Sequence, residues 1–450
     1  EVCDPFADRP RTTRLTPVDI NADGLADIAY MDESFDWYYQ LNTGKGFLAP
    51  QWIASPESAE LSEKARFLDA NGDSYPDLIY PSLLNQSNAV WTVHINDNGA
   101  EFASSINTKI KYGNPLDGDA SILADFTGDG MLDNLFIQGG GSSGNPGLHL
   151  YAGENLVTGQ SGQAVNVIQS VRNGFGAVSR FTYQPLSNDD VYRRMRNASA
   201  VSWGNQSPVY DLVAPVYVVS SLSRSAPVYG DPEAVSIIKY RYVGGKIQAG
   251  GRGFLGFAEV IAFDVQNGIR TNTRYRQGFP YSGLIADVSI ALAGPGRGLT
   301  PVLDTKTPSS IHWPVVDEHL DVPVTINDKL LAYQANQWVA RETVPGKGAY
   351  ARKLIATLDE SFSLAGQSKR KDITANEFDE FDQVLTSITR TWGSDSGGVV
   401  SSKTTRNTYT GPDLGEWVLG QLSSNRVTHS RPGTPAITRQ SAFEYDPVSR

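Results

Sequence analysis

At 450 residues the chain has room for roughly two to four domains with buried cores, and its formal net charge of −11 repels phosphate backbones, which argues against nucleic acid as a partner. A single cysteine, Cys3, excludes an intrachain disulfide, and no stretch approaches the roughly 20 continuous apolar residues of a membrane-spanning helix. The 43 glycines, 25 prolines and 20 tyrosines, with little that reads as an amphipathic helix, predict an all-β chain of short, turn-separated strands.

The chain opens on Glu1 rather than methionine, so it reads as a piece of a longer protein. Residues 1–160 carry an internal repeat. "DINADGLADIAY" at 19–30, "LDANGDSYPDLIY" at 68–80 and "ADFTGDGMLDNLFI" at 124–137 share one pattern, their first aspartates Asp19, Asp69 and Asp125 lying 50 and 56 residues apart. Each is followed by an alternating apolar stretch and a turn: "WYYQLNTGKGF", "VWTVHINDNGAEF" and, more loosely, "LHLYAGENL". A strand, an acidic loop and two or three further strands, repeated at about 50 residues, predict propeller blades. Three blades cannot close a ring, so the missing ones are expected before Glu1.

Within each loop, side-chain oxygens fall at the first, third, fifth and ninth positions, and the seventh residue can offer its carbonyl. The candidate ligands are Asp19, Asn21, Asp23, the carbonyl of Leu25 and Asp27 in the first loop. They are Asp69, Asn71, Asp73, the carbonyl of Tyr75 and Asp77 in the second, and Asp125, Thr127, Asp129, the carbonyl of Met131 and Asp133 in the third. Hard oxygens at this alternation suit Ca2+, whose charge offsets the repulsion among clustered carboxylates. An EF-hand would need a bidentate glutamate at the twelfth position, where the chain has Tyr30, Tyr80 and Phe136, and the flanks "IAY", "LIY" and "LFI" read as strands rather than helices. The same composition also suits turns that hold no metal. Three copies in one register favour calcium, with Thr127 making the third loop the weakest. These loops resemble the FG-GAP/VCBS repeats of integrin-like propellers, a likeness that implies a structural calcium.

Past residue 160 the acidic loops stop. "SVRNGFGAVSRFTYQPL" at 170–186 reads as a hairpin, "VAPVYVVSSLSRSAPV" at 213–228 as an extended apolar run, and Asn267-Gly268 as a two-residue hairpin turn between alternating runs. The segments "NGFGA", "APVYVVSSL", "YRYVGG", "GRGFLGF" and "FPYSGL" follow in the order found in the middle region of the B components of insecticidal toxin complexes, the TcdB-like proteins. "NEFDEFDQVLTSITRTW" and "RQSAFEYDPVSR" in turn resemble Rhs/YD repeats, whose strands coil into a hollow shell.

The resemblance implies a secreted, non-enzymatic toxin part. Residues 1–160 would be FG-GAP/VCBS-like blades of a propeller that docks on a pore-forming A component and acts as a gate. Residues 161–300 would be a TcdB-like middle β domain, 301–375 a β-rich continuation of the shell, and 376–450 the first Rhs/YD-like repeats. With a C component the shell would enclose a toxic effector. Protein partners are implied, without nucleic acid or direct membrane insertion. The rival readings are an extracellular integrin-like adhesion or glycan-binding module, and a polysaccharide-acting enzyme.

Other patterns carry less. Gly140 to Gly144 fits G-x-S-x-G, but Asn145-Pro146-Gly147 follows where a helix is required. Gly251 to Gly256 fits G-x-G-x-x-G, yet "FAEVIAFDV" continues as a strand, so a turn with Phe254, Leu255 and Phe257 packed beneath it is expected. His312 and His319, near Asp317, Glu318 and Asp321, match no standard zinc spacing. Asn85, Asn197 and Asn205 open N-x-S triplets that arise readily by chance in this composition. No carboxylate pair or nucleophile–base pair emerges.

Overall fold

The structure, a computed structural model, describes residues 14–56, 62–82, 89–99, 101–113, 119–139, 147–151, 164, 167–194, 208–294, 311–312, 319–320, 328–394, 397–413, 415 and 418–445. Cys3, the Gly140–Gly144 motif, most of the His312–Asp321 stretch and the three N-x-S asparagines lie outside the described residues. The chain divides into two compact units, residues 1–171 with 181–189 and 213–219, and residues 172–180 with 190–212 and 220–450.

The first unit contains three antiparallel sheets that follow the repeat. β1 (Arg14–Val18), β2 (Asp27–Met31), β3 (Trp37–Gln40) and β4 (Gln51–Ala54) form the first, in chain order. β5 (Arg66–Leu68), β6 (Asp77–Pro81) and β7 (Val90–His94) precede a two-stranded hairpin of β8 (Asn96–Asp97) and β9 (Glu101–Phe102). β10 (Ile106–Lys111) then returns, giving the second sheet the order β10-β7-β6-β5. β11 (Ala120–Ala124), β12 (Asp133–Gln138) and β13 (Gly147–Tyr151) make the third. The flanks "IAY", "LIY" and "LFI" all lie in strands, as their alternation predicts.

Side-chain alternation decides the packing of these sheets. Every residue of β6 is buried. Its Leu78 and Tyr80 join Ile20, Ala29, Met31 and Trp37 of the first repeat. Ile79, pointing the other way, packs with Trp91, Val93 and Ile110, against which Leu123 and Leu132 of the third repeat rest. The middle sheet is therefore sandwiched between its sequence neighbours, and that explains why its apolar run is continuous rather than alternating.

From residue 170 the chain builds one long antiparallel meander, most of whose strands belong to the second unit. The short strands are β14 (Ser170–Arg172), β15 (Val178–Pro185), β16 (Tyr192–Arg193) and β17 (Val209–Asp211), then β18 (Tyr217–Ser225), β19 (Val235–Val243), β20 (Lys246–Gln248) and β21 (Gly253–Phe254). β22 (Glu259–Asp264), β23 (Ile269–Tyr275) and β24 (Ile285–Leu292) come next, followed by an isolated pair, β25 (Ile311–His312) and β26 (His319–Leu320). The longest strands close the series: β27 (Lys329–Glu342), β28 (Tyr350–Phe362), β29 (Ser368–Phe378), β30 (Val384–Gly393), β31 (Val399–Tyr409), β32 (Leu422–Arg431) and β33 (Thr434–Ala442). A 15-stranded sheet runs β14-β15-β18-β19-β22-β23-β24-β27 and on to β33 in sequence order, with β16 pairing parallel to β19. β17, β20 and β21 form a separate three-stranded sheet.

Serine, threonine and valine dominate β30 and β31, residue types that suit a pleated surface, and cross-strand hydroxyl pairs such as Thr374 with Thr389 at 2.9 Å join neighbours. The Asn267-Gly268 turn differs from expectation. Asp264 pairs with Ile269, so the loop has four residues, closed by Gly268 N–H donating to the Asp264 carbonyl while the Asp264 side chain accepts from Gln266 and Asn267. The acceptor side chain of Asp264 extends the turn that the dipeptide alone would make tighter.

Burial in the meander is concentrated rather than spread. Leu330, Tyr333, Ala335, Ala356, Leu358 and Ile373 form its core cluster, whereas all nine residues of β33 are exposed. Between β22, β23 and β24 a polar ladder replaces apolar packing: Asn272 Nδ2 donates to Glu259 at 2.7 Å, and Arg274 Nε donates to both oxygens of Asp287 at 2.7 and 2.9 Å. Burial opposes its charge, yet the Asp287 carboxylate holds Arg274 protonated, its pKa raised. No helix among the described residues is long and apolar enough to cross a membrane.

Leu358 has no exposure and Ile437 is 64% exposed. Leu358→Ala should cost about 2–5 kcal/mol of stability in urea titrations, and Ile437→Ala less than about 0.5 kcal/mol.

Candidate metal centre

The three acidic loops are the β1–β2, β5–β6 and β11–β12 connections, and in each the residue before the loop pairs directly with the ninth-position aspartate: Val18 with Asp27, Leu68 with Asp77, Ala124 with Asp133. A common hydrogen-bond pattern follows. The first-position aspartate curls the loop around itself by accepting main-chain N–H groups: Asp19 from Asp23 and Gly24, Asp69 from Gly72, Asp73 and Ser74, and Asp125 from Gly128, Asp129 and Gly130. The fifth-position aspartate accepts from the seventh residue, Asp23 from Leu25 N–H at 2.8 Å, Asp73 from Tyr75 at 2.8 Å and Asp129 from Met131 at 2.9 Å.

Curling the loop this way requires two left-handed residues, at positions four and six. They are Ala22 and Gly24 in the first loop (φ 55° and 87°), Gly72 and Ser74 in the second (79° and 75°), and Gly128 and Gly130 in the third (72° and 81°). The first two loops carry only one glycine each, because Ala22 and Ser74 occupy the second left-handed site.

The ninth-position aspartates have a different task. Asp27, Asp77 and Asp133 have no solvent exposure. Asp27 Oδ2 accepts Ile20 N–H at 2.8 Å and Oδ1 accepts Asn42 N–H at 2.6 Å; Asp77 likewise accepts Ala70 N–H at 2.7 Å and Asn96 N–H at 2.8 Å. Asn42 and Asn96 also donate their side-chain amides to the carbonyls preceding each aspartate, Ala26 at 3.0 Å and Pro76 at 3.3 Å. Asn96 adds a bond to the Ile20 carbonyl at 2.8 Å, tying the first loop to the second. These asparagines open the turns "NTG" and "NDNG", a repeat signal that sequence reading registers as turns without assigning this role. The equivalent turn of the third repeat lies outside the described residues.

In the third loop Asp133 accepts from Phe126 N–H at 2.6 Å and Thr127 N–H at 2.7 Å, and the Thr127 hydroxyl also turns toward Asp133. Asn21 and Asn71, by contrast, donate to the fifth-position aspartates Asp23 and Asp73 at 2.9 and 2.8 Å. A strap crosses the third loop: a Cβ added at Gly130 would meet the Pro215 carbonyl at 3.2 Å and its Cβ at 3.3 Å. Tyr217 follows, its pKa pushed up to about 12 by burial and by Asp129 and Asp125.

Electrostatics and geometry give separate readings of a cation. Burial pushes Asp77 up to about 7 against the hydrogen bonds from Asn96 and Ala70, and the charges of Asp73 and Asp69 add to the rise. Burial raises Asp129 too, with Asp133 and Asp125 contributing. Each loop holds three carboxylates, whose hard oxygens retain lone pairs beyond those used by N–H groups, and this donor chemistry fits Ca2+. Geometrically, no group of three Asp, Glu, His or Cys converges as a metal cage among the described residues. Main-chain amides organise the loops.

The glycine- and tyrosine-bearing middle segments assemble elsewhere. Gln277 Nε2 donates to the carbonyls of Gly244 and Gly256, both at 2.7 Å, and the Tyr192 hydroxyl accepts Gly245 N–H at 3.1 Å. Phe257 packs against Tyr242, Tyr192 and Phe254 at ring separations of 4.8, 6.0 and 5.3 Å. Gly251 to Gly256 therefore form a turn and short hairpin without a helix. Leu255 is buried as expected, but Phe254 is 52% exposed, its edge alone resting on Phe257. Arg252 caps the Phe279 ring at 3.3 Å, which joins "GRGFLGF" to "FPYSGL".

With chelator present, Asp77→Asn should lower stability by about 1–3 kcal/mol in chemical denaturation, because an amide NH2 would confront the Ala70 or Asn96 N–H donor. Ala22→Gly should raise it by about 0.5–1 kcal/mol, since Ala22 stands at a positive φ.

Residues 97–283 match the family described as the insecticide toxin TcdB middle/N-terminal region. No curated protein matches the chain in sequence. The solved structure of TcdB2-TccC3 without its hypervariable C-terminal region aligns at a TM-score of 0.65 and 13% identity, covering 94% of this chain and 22% of that one. TcdB2-TccC3 itself aligns at 0.63 with 13% identity, covering 94% and 22%. A Photorhabdus luminescens Tc holotoxin pore aligns at 0.65 with 13% identity, covering 94% and 21%. The chain thus spans about a fifth of the length of these solved chains, and at this identity the alignment speaks to fold. In sequence over residues 97–283, and in fold over nearly its whole length, this chain is similar to the TcdB-like B components of insecticidal toxin complexes.

Proposed function

We propose that the chain is a structural, non-enzymatic part of a secreted Tc-type toxin. Its three stacked sheets are blades of a docking propeller that gates release, and its long meander is wall of a shell that encloses a toxic effector. The observation that carries this reading is the meander itself. From β22 to β33, the separate β25–β26 pair apart, strands add in sequence order, so the sheet grows by one edge, a construction suited to a wall around a space. The sandwiching of β6 between neighbouring repeats supports the blade assignment, since blades pack face to face. The buried Glu259, Asn272 and Asp287 and the half-buried Arg274 are engaged in pairs across strands, which favours a structural ladder over a catalytic carboxylate pair.

The proposed partners follow from the neighbours in fold, which are a TcdB2-TccC3 assembly and a Tc holotoxin pore. They are a pore-forming A component at the blades and an effector-bearing C component at the shell. Ca2+ is the proposed cofactor of the acidic loops. Asp19, Asn21, Asp23 and Asp27 would hold it in the first, Asp69, Asn71, Asp73 and Asp77 in the second, and Asp125, Thr127, Asp129 and Asp133 in the third. Carbonyls of Leu25, Tyr75 and Met131 complete the sets. Bound calcium would neutralise the loop carboxylates.

Two measurements test these readings. Calcium should raise the unfolding free energy, by about 2.7 kcal/mol per loop at a hundredfold excess over Kd, and Asp69→Ala with Asp73→Ala should remove the contribution of one loop. A calorimetric scan unchanged between calcium and chelator would reject the metal. Co-elution with a Tc A component on gel filtration should yield a complex, whereas no complex together with saturable glycan binding would point to an adhesion module.

A further inference from the structure

The outer strands of the meander carry a basic groove that the shell reading leaves unused. Its volume is about 970 Å³, and Lys403, His429, Arg431 and Arg439 line it together with Arg370. No carboxylate is among the lining residues. This concentration of positive charge stands out in a chain of net charge −11. Arg370 donates to Asp372 at 2.7 Å, so its charge is met. Lys403, Arg431 and Arg439 are exposed and make no ion pair among the described residues.

Register puts these cations on one face. Lys403 of β31 pairs with His429 of β32, and His429 with Ile437 of β33. Arg431 lies two residues beyond His429, and Arg439 two beyond Ile437 in the opposite direction along the sheet. With strands about 4.8 Å apart and about 3.3 Å per residue, the cations cover a patch of roughly 10 by 15 Å. Hydroxyls of Ser401, Ser402 and Ser430 lie among them, that of Thr391 being taken by Asp372, and Ile437 with Pro435 supplies an apolar flank.

We propose that this groove binds an acidic polypeptide segment in extended form. Spaced cations with intervening hydroxyls match carboxylates that recur along a peptide, each accepting from an ammonium or guanidinium and a neighbouring O–H. The volume is far larger than a single small anion needs, which favours an extended segment carrying several carboxylates. The inference stands apart from the calcium loops, because it uses only residues of β29 to β33, and it does not require the sheet to enclose a space.

Fluorescence anisotropy with the full chain and a labelled oligoglutamate peptide tests it. Saturable binding that weakens with salt is expected, with an oligoglutamine peptide failing to bind. Reversal of all three free cations, Lys403→Glu with Arg431→Glu and Arg439→Glu, should weaken binding by about tenfold or more. These side chains are exposed, and circular dichroism checks that the variant folds. Arg406→Glu, on the same strand but the opposite face, should bind as the parent does. Absence of binding, equal loss in Arg406→Glu, or tighter binding of an oligonucleotide or inorganic phosphate than of oligoglutamate would overturn the proposal.

Discussion

A carboxylate shut away from water must have its charge met by hydrogen bonds, and Asp27, Asp77 and Asp133 meet theirs with main-chain amides. In the first two repeats those amides come from two places, the near end of the acidic loop and the turn that follows the next strand. One side chain therefore fixes the hairpin and sets the departure of the chain beyond it. Asn42 and Asn96 reinforce this by returning their side-chain amides to the same corner, and Asn96 reaches on to Ile20 of the preceding repeat. Packing of neighbouring sheets through Leu78 and Ile79 on opposite faces of β6 becomes possible because those corners hold the strands in register.

The second unit relies on a different economy. Its strands have few fully buried side chains, and cohesion comes from a long ladder of backbone hydrogen bonds, shifted in register at several bulges and supplemented by cross-strand pairs. Where the sheet does bury surface, it uses a compact apolar cluster around Tyr333 and Leu358 and a polar ladder through Arg274. Desolvation opposes burial of the arginine, and the two-oxygen grip of Asp287 offsets it, so the pair fixes strand register more than it adds stability.

The middle segments that carry the likeness to TcdB-like proteins are joined by contacts to main-chain carbonyls and rings. Gln277 bridges Gly244 and Gly256, Phe257 collects three aromatic neighbours, and Arg252 covers Phe279. Gly244 and Gly256 stand at positive φ, 65° and 87°, where a side chain would strain the backbone that presents these carbonyls.

Read alone, the chain determined its all-β class, the three loop-bearing hairpins, the strand character of their flanks and the likeness of its middle region. Each of these depends on local alternation, turn residues or spacing, which are written into adjacent positions. Other features needed the tertiary structure. The aspartates at the ninth position look like their loop-mates in sequence, yet burial gives them main-chain amides as partners, and only the fold shows which amides arrive. Ala22 and Ser74 conceal left-handed positions that composition assigns to glycine. Asp264 widened the Asn267-Gly268 turn, Phe254 stayed at the surface, and Lys403, Arg431 and Arg439, separated by up to 36 positions in the chain, came together through strand pairing alone.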